Sequence, residues 1–244
     1  MNQITNISLI GLFAGMIGTT IGGILGISFP NTSKKLLSFI LEIASGLMTS
    51  IICFDLIPES LHIADITITL IGIIFGIILM FGCNNFISIH TKSNPLLKNN
   101  TLLRTGLIIS IGLAIHNLPE GLAIGAGFDS SIDLGIKLAV AIALHDVPEG
   151  ISISLPLNSS GVSKFKAVII TFISGISTGI GTLIGALIGN ISLRFIGFSL
   201  SFAAGAMLYI VACELIPESQ KIYSGKLASL GYISGIILGV FSQM

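Results

Sequence analysis

The chain has 244 residues, 52% hydrophobic and only 9% charged, with mean hydropathy +1.01 and zero formal net charge. Soluble domains carry roughly 25% charged residues, so the composition excludes an ordinary soluble enzyme and indicates an integral membrane protein, with lipid and not nucleic acid as its surroundings. A helix needs about 20 apolar residues to cross about 30 Å of hydrocarbon. Runs of that kind fall in chain order at roughly 6–28, 36–58, 66–87, 104–127, 133–156, 165–189, 195–217 and 225–243. The expected fold class is an all-α membrane protein of eight transmembrane helices, a single polytopic domain over 1–244 with no soluble domain left over.

The first run lacks a basic leader and a small-residue cleavage site, so it reads as a retained helix, and its glycines suit close helix packing. Cys53, Cys83 and Cys213 lie in or at the ends of apolar runs and form no C-x-x-C pair. They are expected to be buried, inert thiols. Nine of the eleven basic residues sit in the connections after runs one, three, five and seven: Lys34, Lys35, Lys92, Lys98, Arg104, Lys164, Lys166, Lys221 and Lys226. Only Lys137 and Arg194 are on the other side. The excess marks the cytoplasmic face and puts both termini outside the cytoplasm.

Sliding the chain by 159 residues aligns GLMTSIICFDLIPES, from Gly46, with GAMLYIVACELIPES, from Gly205, at eight identities in 15 positions. The same offset pairs Thr19, Gly22 and Gly26 with Thr178, Gly181 and Gly185, and Gly72 and Gly76 with Gly231 and Gly235. Because the step spans an odd number of helices, each aligns with one running the opposite way. The expectation is an inverted repeat of helices 1–3 (about 6–87) and 6–8 (about 165–243) around a central helix 4–5 pair (about 104–156). Such repeats are typical of secondary transporters, whose substrate sites lie near the midplane.

The central pair carries HNLPEG, from His116, and HDVPEG, from His145, each at the middle of its run. His116 and Glu120 stand four apart and share a helix face, as do His145 and Glu149. Two imidazoles and two carboxylates suit a borderline divalent metal. Pro119 and Pro148 withhold the amides that would bond the carbonyls of Ile115 and Leu144, so kinks with freed oxygens are expected beside the site. Asn117 and Asp146 either extend the cluster to a second metal or steady the ligands by hydrogen bonding, and the sequence leaves both open. Ionisable groups at the bilayer centre are costly, and no Lys or Arg lies deep enough to neutralise these acids. A bound or mobile cation is the simplest compensation, with proton uptake by metal-free glutamates as an addition.

These motifs resemble those of the ZIP (Zrt/Irt-like) family of divalent metal transporters, in particular its short prokaryotic members. The resemblance covers the whole chain through helix count, repeats and both signature motifs. It implies no catalytic cofactor and a divalent metal as cargo, Zn²⁺ foremost and iron, manganese or cadmium besides. It also implies uptake across the plasma (inner) membrane toward the cytoplasm, a homodimer, and an elevator-type movement of helices one, four, five and six against two, three, seven and eight. Metal ligation falls on His116, Glu120, His145 and Glu149, with Asn117 and Asp146 as secondary positions and Met48 as a candidate thioether ligand. Helix six has no acidic residue and offers hydroxyls instead, Thr171, Ser174, Ser177 and Thr178 among them. The connection from about 88 to 103 holds a single histidine, His90.

The segments ending in DLIPES and ELIPES close helices two and seven at opposite membrane faces. Asp55, Glu59 and His62 would flank an entrance and Glu214 and Glu218 an exit, concentrating a cation by local potential. The plainer alternative is that Pro58 and Pro217 end helices whose glutamates are simply solvated. Two other functions compete: an intramembrane zinc-dependent hydrolase, against which H-E-x-x-H is absent, and a passive channel, which sequence does not separate from a carrier.

Overall fold

The computed structural model describes residues 3–28, 33–92, 100–188 and 193–242. They form α1 (Gln3–Ile27), α2 (Lys34–Ile63), α3 (Ile66–Lys92), α4 (Thr101–Ser130), α5 (Ile132–Ser159), α6 (Lys164–Ile188), α7 (Leu193–Ile222) and α8 (Lys226–Ser242). Among the described residues there is no strand. Seven of the helices are long and apolar enough to cross a membrane, and Lys226–Phe241 of α8 is a shorter apolar helix. At 1.5 Å per residue α8 spans about 25 Å, less than the eighth run suggests.

Local chemistry sets the helix starts. Ser33, Asn100 and Ser131 accept hydrogen bonds from the amides of Leu36, Leu103 and Leu134, capping α2, α4 and α5. Ser131, in extended backbone, both ends α4 and begins α5. Beyond α5 the chain turns through Gly161 at φ 96°, where a side chain would be strained. Most helices outrun their apolar stretches because polar residues continue the first and last turns. The loop expected from residue 88 is helical as far as Lys92, so His90 belongs to α3, although its side chain lies outside the described residues.

Small residues decide which helices touch, since lipid gives apolar side chains no reason to prefer one another. A Cβ on Gly22 would meet the α5 backbone at Val147 and Gly150; one on Gly181 would meet α4 at Leu118 and Gly121. In the same way Gly46 abuts Tyr232 and Gly235 of α8, and Gly205 abuts Ile73 of α3. These pairs run parallel, whereas α1 and α6 cross antiparallel at Gly15 and Gly175. The 159-residue step carries Gly46·Gly235 onto Gly205·Gly76. It also carries the hydrogen bond from Ser60 Oγ to the Gly197 carbonyl (2.7 Å) onto the one from Ser219 Oγ to the Ser38 carbonyl (3.1 Å). Helices α1, α4, α5 and α6 therefore form one closely packed group. The pairs α2·α8 and α3·α7 form its surroundings, and the seam between them runs along α4·α7 and α2·α5.

Pro58 and Pro217 do not end α2 and α7. Both helices continue, to Ile63 and Ile222, after widening into a π turn at Ile52–Leu56 and Val211–Leu215. A proline ring clashes with the carbonyl four residues back and offers it no amide. The wider turn relieves this, because Ile57 and Ile216 bond the carbonyls of Ile52 and Val211, five residues back. Asp55 and Glu214 lie within these turns, a helix irregularity frequent at functional sites. Cys53 and Cys213 lie there too and are exposed, with Cys83 half-buried, which corrects the expectation of buried thiols. An apolar run does not tell a packed face from an exposed one.

Candidate metal site

The two motifs lie near the midpoints of α4 and α5, which continue as α-helix through Pro119 and Pro148. Gly121 lets α4 approach the carbonyl of Thr178 in α6, and Gly150 lets α5 approach that of Thr19 in α1. The motif glycines thus lock the site-bearing helices against α6 and α1, leaving His116 and Glu120 of α4 turned toward Glu149 of α5.

His116, Glu120 and Glu149 converge, with one ligand atom from each lying within 4.8 Å of the others. His116 Nε2 is 2.9 Å from Glu149 Oε1 and 3.8 Å from Glu120 Oε1. All three are at most 1% exposed, as are Asn117 and Asp146. Asn117 satisfies its surroundings when its amide nitrogen donates to Glu149 Oε2 (3.3 Å) and the Leu113 carbonyl (2.9 Å). The Asp146 carboxyl adjoins Glu149 and Glu120. His145 belongs to α5, and its side chain lies outside the described residues.

Three buried carboxyls around one described imidazole carry more negative than positive charge, and each ion taken out of water costs several kcal/mol. His116 Nε2, the ring atom aimed at the glutamates, is the one a metal would take, while Nδ1 has no hydrogen-bond partner among the described residues. The donor set, one nitrogen with carboxylate oxygens, fits a borderline divalent ion. On α6 the hydroxyls of Thr171, Ser174 and Ser177 donate to the carbonyls of Ala167, Thr171 and Ser174. Thr178 Oγ1 is buried and unbonded among the described residues. Met48 is fully buried in the main apolar cluster with Leu113, Ile142 and Met207, a packing environment.

Two cavities approach the site from opposite ends of the central pair. One, of about 700 Å³, is lined by Asp55, Glu59 and His62 of α2 and by Asp133, Lys137 and Ala141 of α5. Ala141 is one turn from His145. The other, of about 270 Å³, is lined by Cys213, Glu214, Glu218 and Lys221 of α7 and by Arg104 and Thr105 of α4. The sequence reading singled out the α2 and α7 acids but missed Asp133, Arg104 and Thr105. The 29-residue step relating the two motifs, extended back to the helix starts, would have pointed to them, since it carries Arg104 onto Asp133.

A bundle of membrane-length helices, closed around buried acids and an imidazole and flanked by polar vestibules, defines a polytopic membrane protein with an interior suited to a cation. A family profile described as ZIP zinc transporter matches residues 90–242. Over its whole length the chain is 32% identical to zinc transporter ZupT of Clostridium perfringens, covering 97% of that protein. It is 31% identical to ZupT of Escherichia coli O127:H6, over 92% of this chain and 91% of that protein. Zinc transporter ZIP11 of Xenopus tropicalis is 39% identical over 58% of this chain and 44% of its own length. The chain belongs to the ZIP family of zinc transporters. It is a divalent-metal transporter and not an enzyme, and the metal is its substrate.

Proposed function

We propose that this protein carries Zn²⁺, or a divalent ion of similar ligand preference such as Fe²⁺, Mn²⁺ or Cd²⁺, across the plasma membrane toward the cytoplasm. The observation that carries the reading is the fully buried convergence of His116, Glu120 and Glu149 at mid-helix. These residues and His145 are the metal ligands, while Asn117 and Asp146 orient Glu149 and tune its charge. The ion replaces a proton on His116 Nε2, so loading releases protons. Hydrolysis is disfavoured because the described acids of the cluster face one another and His116, leaving none apart as a general base.

The parallel and antiparallel contacts described above support an inverted-topology repeat, and the separation into two helix groups supports an elevator-type movement of α1, α4, α5 and α6. The larger cavity, at the α2 and α5 end, is the extracytoplasmic vestibule, and the smaller one is the cytoplasmic exit. Both termini are extracytoplasmic, and the transporter is a homodimer. Uptake of ⁶⁵Zn²⁺ into proteoliposomes tests the reading, with wild type set against a His116→Ala, Glu149→Ala double variant and with Fe²⁺ and Mn²⁺ as competitors. Saturable uptake lost in the variant is expected; equal uptake by both proteins refutes the site.

A further inference from the structure

The two vestibules are built from equivalent positions. The repeat steps carry Asp55, Glu59 and His62 onto Glu214, Glu218 and Lys221, and Asp133 and Leu134 onto Arg104 and Thr105, and all of these residues line their respective cavities. The shared feature is a pair of carboxylates one turn apart. What differs is the charge facing them. In the larger vestibule α5 adds a third acid, Asp133, and its Lys137 is spent on that acid at 2.8 Å, both side chains being largely exposed. In the smaller vestibule α4 presents Arg104 at the same position, and Lys221 pairs with Glu218 at 3.2 Å. Thr105 Oγ1 also donates to Glu218 Oε1 at 3.0 Å. The Arg104 Nε is buried with no hydrogen-bond partner among the described residues, and Arg104 lines the same cavity as Glu214. One mouth thus has an excess of negative charge, and the other is balanced.

The balance has a chemical consequence. A thiol and two carboxylates, Cys213, Glu214 and Glu218, line the smaller cavity, and thiolate with carboxylate oxygens is a zinc-binding combination. Their donor atoms do not converge as those of the midplane cluster do, yet carboxylates without a counter-charge beside an exit would delay the ion they are meant to pass. We infer that Arg104 is a tethered counter-cation that prevents the smaller vestibule from retaining the metal released from the midplane site. A guanidinium suits this role because it stays charged at every physiological pH and its planar fork matches carboxylate geometry. Arg104 is a positioning residue; the metal never touches it. In the other vestibule Asp133 does the reverse and helps gather cations. The pair gives the two mouths opposite tendencies without altering the central site.

The inference rests on the transport reading, and its test is read separately from it. In the His116→Ala, Glu149→Ala background, with the midplane cluster dismantled, equilibrium ⁶⁵Zn²⁺ binding is measured on the purified full-length protein. Arg104→Gln and Arg104→Asp are each added, the latter copying Asp133. Both are expected to bind more Zn²⁺ than the background, the excess being lost again when Glu214→Gln is added, whereas Arg104→Lys binds no more than the background. In the otherwise wild-type protein, Arg104→Asp is expected to slow uptake about tenfold with metal loading intact, and Arg104→Lys to restore it. Binding by Arg104→Gln and Arg104→Asp no greater than the background overturns the inference. Failure of the transport reading shows itself elsewhere, as absent wild-type uptake or undiminished uptake by the His116→Ala, Glu149→Ala variant.

Discussion

Replacing Glu149 by Gln separates a metal site from a structural ion pair, because the two readings differ in sign. Glu149 is wholly buried, and its Oε1 is 2.9 Å from His116 Nε2. Were the pair structural, two unit charges at that distance in an effective dielectric near 20 would attract by about 6 kcal/mol before desolvation. Removing one partner of a buried pair costs about 3–5 kcal/mol. If the carboxylate is held there for a metal, it is surplus in the metal-free protein: His116 keeps Glu120 at 3.8 Å as its partner, a desolvated charge is removed, and the protein unfolds at the same or a higher temperature. The difference then appears with zinc. At a concentration 100 times the dissociation constant, bound metal stabilises the folded state by about 2.7 kcal/mol, and a ~100-fold weaker site leaves about 0.4 kcal/mol. Thermal unfolding of the detergent-solubilised protein, with and without Zn²⁺, measures both quantities. A metal-free Glu149→Gln protein destabilised by 3 kcal/mol or more, or one stabilised by zinc as strongly as wild type, would refute the reasoning.

Gly121→Ala places a methyl against the Thr178 carbonyl. It is expected to destabilise the protein by about 1–3 kcal/mol through overpacking, seen as a lower unfolding midpoint; an unchanged midpoint would mean that α4 and α6 are not held at this distance. Cys213 lines the smaller vestibule. In a Cys53→Ser, Cys83→Ser protein a charged thiol reagent is expected to label Cys213 from the cytoplasmic side alone, and labelling from the outside would reverse the proposed orientation.

The membrane class and the number of apolar runs were legible from composition, because a helix must satisfy its own backbone in lipid and so announces itself as an unbroken apolar stretch. His116, Glu120 and Glu149 were legible because four-residue spacing on two facing helices leaves few other ways to arrange them. The course of α2 and α7 was not. Pro58 and Pro217 read as helix ends, and only the five-residue hydrogen bonds of Ile57 and Ile216 reveal how the helices absorb them. Nor was the exposure of Cys53 and Cys213, since hydropathy does not tell a core from an exposed face or a vestibule wall. Arg104 read only as one of the basic residues of a connection and Asp133 as an ordinary charge beside a helix end, and their opposition emerges only when the lining of the two vestibules is matched position by position.

The π turns allow a single helix to change partners partway across the membrane. Before the turn, Ser50 of α2 faces Gly239 of α8; after it, Ser60 bonds the Gly197 carbonyl of α7. A π turn holds one residue more than an α turn, so deleting a residue of Ile52–Leu56 would close it to four-residue bonding, keep Glu59 and His62 on their face, and set the Pro58 ring against a carbonyl that the wider turn now spares. In this region of the chain the extra residue is what lets a proline stand mid-helix: a substitution at Phe54 changes one surface, whereas a shortened turn reinstates the clash at Pro58.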